Sequence, residues 1–125
     1  MSEKVTSISE RIKPLRITVT SSGETYELDF SRESIVFAEG RGFDLDDISK
    51  YPVSKIPEFW FYAFRKNHRK LAKAQTDKIL DEMGGVTEKI MERLILLYNQ
   101  AQTSNNIVQD DEELEKNGAV LVELD

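Results

Sequence analysis

The stretch Pro57 to His68, PEFWFYAFRKNH, decides how the chain around it is read. At about 100° per residue, Ile56, Phe59, Trp60, Ala63 and Phe64 share one helical face, the i, i+3, i+4, i+7, i+8 spacing of a core-facing helix. Phe61 and Tyr62 lie on opposite flanks, each roughly 130° from the middle of that face. A single contact cannot hide them all. The helix either sits among neighbours on several sides or leaves apolar surface for a second copy or a client protein. A knot of positive charge, Arg65, Lys66, Arg69, Lys70 and Lys73, begins within this stretch and runs on past it.

Upstream, LRITVT alternates Leu15, Ile17 and Val19 with Arg16, Thr18 and Thr20, and ETYELDF alternates Tyr26, Leu28 and Phe30 with Glu27 and Asp29. This period of two, joined by a short link containing Gly23, predicts a β-hairpin over residues 15–30. A lone hairpin is marginal in water, so its apolar face needs a cover. Ser31 suits the N-cap of a helix over 32–40, which Gly40 and Gly42 end. FDLDDISKYP reads as a short turn or one-turn helix capped by Asp44, with Phe43, Leu45 and Ile48 inward. Further helices are expected over 55–67, capped by Ser54 with Pro57 in its first turn, over 72–83, and over 88–101. Thr87 caps the last, and Val86 and Met91 have the spacing of a hydrophobic staple across its start.

That last helix repeats the surplus. Ile90, Leu94, Leu97 and Tyr98 make one face, Met91 and Ile95 widen it, and Leu96 sits behind. Beyond it, residues 102–125 read as a flexible acidic tail, and residues 1–14 as a loose N-terminus. Seven acids against the lone Lys116 give the tail the same −6 that the whole 125-residue chain carries, so the body is neutral. The apolar segment AVLVEL, 119–124, suits docking on the body or on a partner. The fold class expected is α+β and mostly helical: an N-terminal β-hairpin packed on a small bundle of about four helices, as one domain over 15–101.

The chemistry argues for a binding protein more than a catalyst. There is no cysteine, and His68 is the only histidine, so triads and His-rich or thiolate metal sites have no material. In RKNHRK, His68 reads as a solvated residue near a helix end. Asp44 to Asp47 lack the glycine and distal glutamate of a calcium loop. No phosphate-binding glycine loop is present, and no cofactor is implied. The basic knot could serve nucleic acid or receive the acidic tail, but a neutral body is a poor polyanion binder. No apolar run approaches the roughly 20 residues of a membrane span, and the N-terminus lacks a signal-peptide core, which predicts a soluble, cytoplasmic protein.

Three segments in fixed order carry a resemblance: FSRESIVFAEGRGFDLDDI at Phe30–Ile48, IPEFWFYAFR at Ile56–Arg65 and QTDKILDEMGG at Gln75–Gly85. Together with the hairpin and the last helix, they resemble the small tail assembly chaperones of long-tailed bacteriophages and prophages of Gram-positive hosts. The resemblance spans roughly Ile17 to Ala101. It implies a non-enzymatic, self-associating helical protein of the host cytoplasm that binds the tape measure protein, keeps it soluble, assists tail tube assembly and is absent from the mature virion. It also implies that a longer frameshifted form can engage the tail tube protein. The competing readings are a small helical DNA-binding regulator and a minor structural tail protein. Helical geometry, not the resemblance, nominates Phe61, Tyr62, Met91, Ile95 and Leu96 as the partner-binding side chains.

Overall fold

The computed structural model describes residues 11–105, and side chains as far as Thr103. Strands β1 (Leu15–Thr18) and β2 (Thr25–Leu28) pair antiparallel, with Leu15 opposite Leu28 and Ile17 opposite Tyr26. Gly23 takes φ +76° in the connecting turn, a left-handed conformation that costs glycine little. Helices follow in order: α1 (Arg32–Gly40), the single turn α2 (Asp47–Lys50), α3 (Pro52–Arg65), α4 (Lys73–Met83) and α5 (Glu88–Asn105). This is the α+β, mostly helical architecture expected, a two-stranded hairpin on a helical bundle.

Helix α3 is central because every other element supplies part of its cover. Phe59, Trp60 and Ala63 are completely buried and Phe64 nearly so. On one side the Phe59 ring stacks on Phe30 and on Phe43, at 5.2 and 5.7 Å, while Tyr98 of α5 meets it edge-on at 5.7 Å. On another side the Trp60 indole N–H donates to the Thr76 carbonyl of α4 at 3.0 Å, inside a fully buried contact. The hairpin covers a third side, where Tyr26 meets Phe64 edge-on at 5.5 Å.

Local signals set most of the ends. Ser31 and Ser34 cap α1 reciprocally, each hydroxyl accepting the other's backbone N–H. The Asp44 carboxylate accepts from Asp46 N–H and so organises the turn before α2. Gly84 and Gly85, at φ +79° and +102°, end α4, and Thr87 Oγ1 accepts from Ile90 N–H at the start of α5. The half-buried Val86 and Met91 both pack on the core there.

Four boundaries differ from the sequence reading. Helix α3 begins at Pro52 rather than 55, because proline is well tolerated where the N–H has no helical partner, and Pro57 falls inside the helix. The carbonyl that Pro57 cannot bond belongs to Val53, a residue 90% exposed, where water can serve. The helix ends at Arg65, two residues short of the expectation. Helix α5 continues through Asn105, into residues assigned to the tail. Finally, the N-terminal segment is held as far back as Ile12: its N–H donates to Gln100 Oε1 at 2.7 Å and its carbonyl accepts from Gln100 Nε2. The expectations for residues 1–10 and 106–125 lie outside the described residues.

If α3 is the hub, truncating it is costly where all elements meet. Phe59→Ala should lower stability by about 3–5 kcal/mol in urea unfolding, whereas Leu96→Asp, at an exposed position, should stay within about 0.5 kcal/mol of the parent.

Candidate functional site

The five nominated partner residues part company. Tyr62 is only 3% exposed, its ring edge-on to Phe43 at 5.2 Å and to Phe37 at 6.0 Å. It belongs to the core, because α1 lies along the flank that helical geometry alone leaves open. Phe61 is half-buried against Phe37, with centroids 6.5 Å apart. Phe37 in turn carries the Arg65 guanidinium at 3.6 Å and that of Arg41 at 5.2 Å. Both surplus aromatics of α3 therefore find cover within this chain. Met91 and Ile95 are half-buried on one flank of α5, whereas Leu96, 46% exposed, lies about 100° further round the helix, behind its buried face.

The basic knot is spent locally. Lys66 Nζ meets Asp29 Oδ2 at 2.6 Å, Lys73 pairs with Asp77 at 3.0 Å, and Arg69 lies 3.8 Å from Glu33. Arg65 is the cation over Phe37, and only Lys70 has no ionic or π partner among the described residues. An array neutralised in this way offers little net field to a polyanion.

His68 is not the solvated residue expected. It is half-buried, its ring edge-on to Tyr26 at 5.1 Å, and its Nε2 accepts the backbone N–H of Glu27 at 3.0 Å. Accepting at Nε2 places the ring proton on Nδ1. Asn67 Nδ2 donates to the Glu27 carbonyl, and Asp29 N–H donates to the Ala63 carbonyl. These three bonds close the outer edge of β2 against the end of α3. Asp29, placed outward by strict alternation, is instead buried, one oxygen accepting from Phe30 N–H and the other held by Lys66. No sequence signal marks that role except a lysine 37 residues away.

The other edge of the hairpin is the feature that sequence reasoning missed. Val19 N–H bonds the Glu24 carbonyl, so Val19, Ile17 and Leu15 direct their backbone groups toward β2 and those of Arg16 and Thr18 point away from it. The backbone groups of Arg16 and Thr18 have no partner among the described residues. Beside this edge lies a groove of about 440 Å³ whose apolar lining is Ile17, Val19, Ile79 and Met83. Its far end is closed by Ser21, whose hydroxyl donates to Glu82 of α4.

Among the described residues, no group of three or more His, Asp or Glu is placed to hold a metal ion, and no helix is long and apolar enough to cross a membrane. Comparison places the chain in a family: it belongs to the domain of unknown function DUF5055, whose model matches residues 1–124. No curated protein and no solved structure matches it.

Two measurements check these assignments. Replacing His68 by Leu orphans the Glu27 N–H, which should cost about 1–3 kcal/mol and speed exchange of that amide. Burial, reinforced by the nearby charges of Glu39 and Asp44, pushes the Tyr98 phenol up from 10.0 to about 12. The folded state thus holds this proton longer than the unfolded chain does. The stability this contributes is fully present below pH 10 and is lost as pH rises through about 12. A Tyr98→Phe variant should lose that part of the alkaline decline.

Proposed function

We propose that this chain is a non-enzymatic tail assembly chaperone, which binds the tape measure protein of a long-tailed phage and keeps it soluble while the tail tube assembles. The observation that carries the reading is the outer flank of α5, where the half-buried Met91 and Ile95 border a polar face that holds the exposed Leu96. Lys89, Glu92 and Arg93, all exposed, surround Leu96 on that face. An amphipathic helix of the client would lay its apolar face along this flank, with the charged rim maintaining solubility. The order of segments from Ile17 to Ala101, which resembles such chaperones, supports the same reading. The longer frameshifted form, self-association, the host cytoplasm as the place of action and absence from the finished virion belong to this proposal.

The basic knot gives the DNA-binding alternative no observation of its own, since all its cations but Lys70 are engaged within the chain. The test is co-expression of the tape measure protein with the parent or with Leu96→Asp, each checked for folding by far-ultraviolet dichroism. The soluble fraction of the client should fall several-fold with the variant. An unchanged fraction would remove this flank as the site, and recovery of the chain in stoichiometric amount from purified particles would make it a structural component instead.

A further inference from the structure

We infer that the open edge of β1 is a docking site for an extended apolar strand, and that its occupant is this chain's own segment Ala119–Leu124, added as a third strand. This inference stands apart from the client-binding flank of α5.

The acceptor side is built for a strand. The N–H and C=O groups of Arg16 and Thr18 point away from β2 and are unpartnered among the described residues, whereas the edge of β2 is closed by His68, Asn67 and Ala63. Natural sheets seldom leave such an edge uncovered, and a two-stranded sheet gains most from a third member. The groove beside the edge has a floor for side chains: Ile17 and Val19 from β1, Ile79 and Met83 from α4, with Met83 38% exposed. A strand bonded to Arg16 and Thr18 would turn every second side chain toward that floor.

The segment AVLVEL has the matching pattern. Val120, Val122 and Leu124 would share the face toward α4, while Leu121 and Glu123 would face outward. Its β-branched residues favour extended backbone. Reach is ample. The 13 residues 106–118 can span up to about 45 Å. From Asn105 back to Arg93, which donates to the Lys13 carbonyl just before β1, is only about 18 Å along α5. Charge guides the path. Arg11, Lys13, Arg16 and Arg93 are exposed and form no salt bridge among the described residues, and the connecting segment carries Asp110, Asp111, Glu112, Glu113 and Glu115. Tethering raises the local concentration of the strand into the millimolar range, so six residues suffice where a free peptide of that length would not.

The chain has no cysteine, which allows a direct test in the full-length protein. Thr18→Cys is combined in turn with Ala119→Cys, Leu121→Cys or Glu123→Cys, the outward positions, and oxidised under mild conditions. At least one pair should form an intramolecular disulfide in high yield, and the control pairs with Val120→Cys or Val122→Cys should not. In parallel, the amides of Arg16 and Thr18 should exchange about tenfold or more slowly in the parent than in the double variant Leu121→Pro/Val122→Pro, which cannot complete the ladder in either strand direction. No intramolecular disulfide at any register, or equal exchange in parent and the double-proline variant, overturns the inference. A disulfide found only between two chains would overturn it in favour of a second copy on the same edge. Slow exchange that survives the double-proline variant would overturn it in favour of another element on the edge.

Discussion

Phe59, Trp60 and Phe64 leave water within a turn and a half of α3, and each ring of this kind withdraws some 150–250 Å². At about 25 cal/mol per Å² that is several kcal/mol per side chain, comparable to a large share of a small domain's net stability. The placement of every other element follows from the need to surround these rings. Helix α4 accepts the indole N–H, α5 brings Tyr98 against Phe59, the segment before α1 contributes Phe30, the loop after it Phe43, and the hairpin lays Tyr26 on Phe64. Among the described residues the five helices and the hairpin share one core, so an element unable to reach α3 has little to hold it.

That constraint explains which parts could be read from residues alone. The face of α3, the hairpin, the Ser31 cap and the Gly84–Gly85 stop follow from spacing and local chemistry, and all are found. Tyr62 was not legible. Spacing says which side of its own helix a residue occupies, and nothing about whether another helix lies there; α1 does. The same gap separates the acidic alternation of β2 from the buried Asp29, whose position is set by Lys66 at 2.6 Å, 37 residues away. The extra turn of α5 escaped for a different reason. Gln102 and Thr103 lack an apolar signal, yet Ala101 is buried and the helix carries through it.

Polar groups in this protein are used mainly for assembly. His68, Asn67, Lys66 and Arg65 occupy successive or neighbouring positions at the end of α3, and each engages the hairpin or α1. Two cations of the apparent basic knot thus become separate attachments in three dimensions, Arg65 to Phe37 and Lys66 to Asp29, while Asn67 and His68 both hold Glu27. The candidate site inherits the result: with the aromatic face of α3 enclosed, the exposed large apolar side chains among the described residues are Val36, Tyr51, Val53, Met83 and Leu96, of which Leu96 lies on α5 and Met83 beside β1.

The way the aromatic rings are closed also bears on how the chain is made. Phe30, Phe43 and Phe59 meet one another within the first half of the sequence, but their remaining open side is covered by Tyr98 of the last described helix. A nascent chain therefore carries an unfinished aromatic stack until α5 is synthesised, and the final contact is also among the longest in sequence separation. Synthesis, rather than unfolding of the finished protein, is the period in which this fold is most exposed to aggregation.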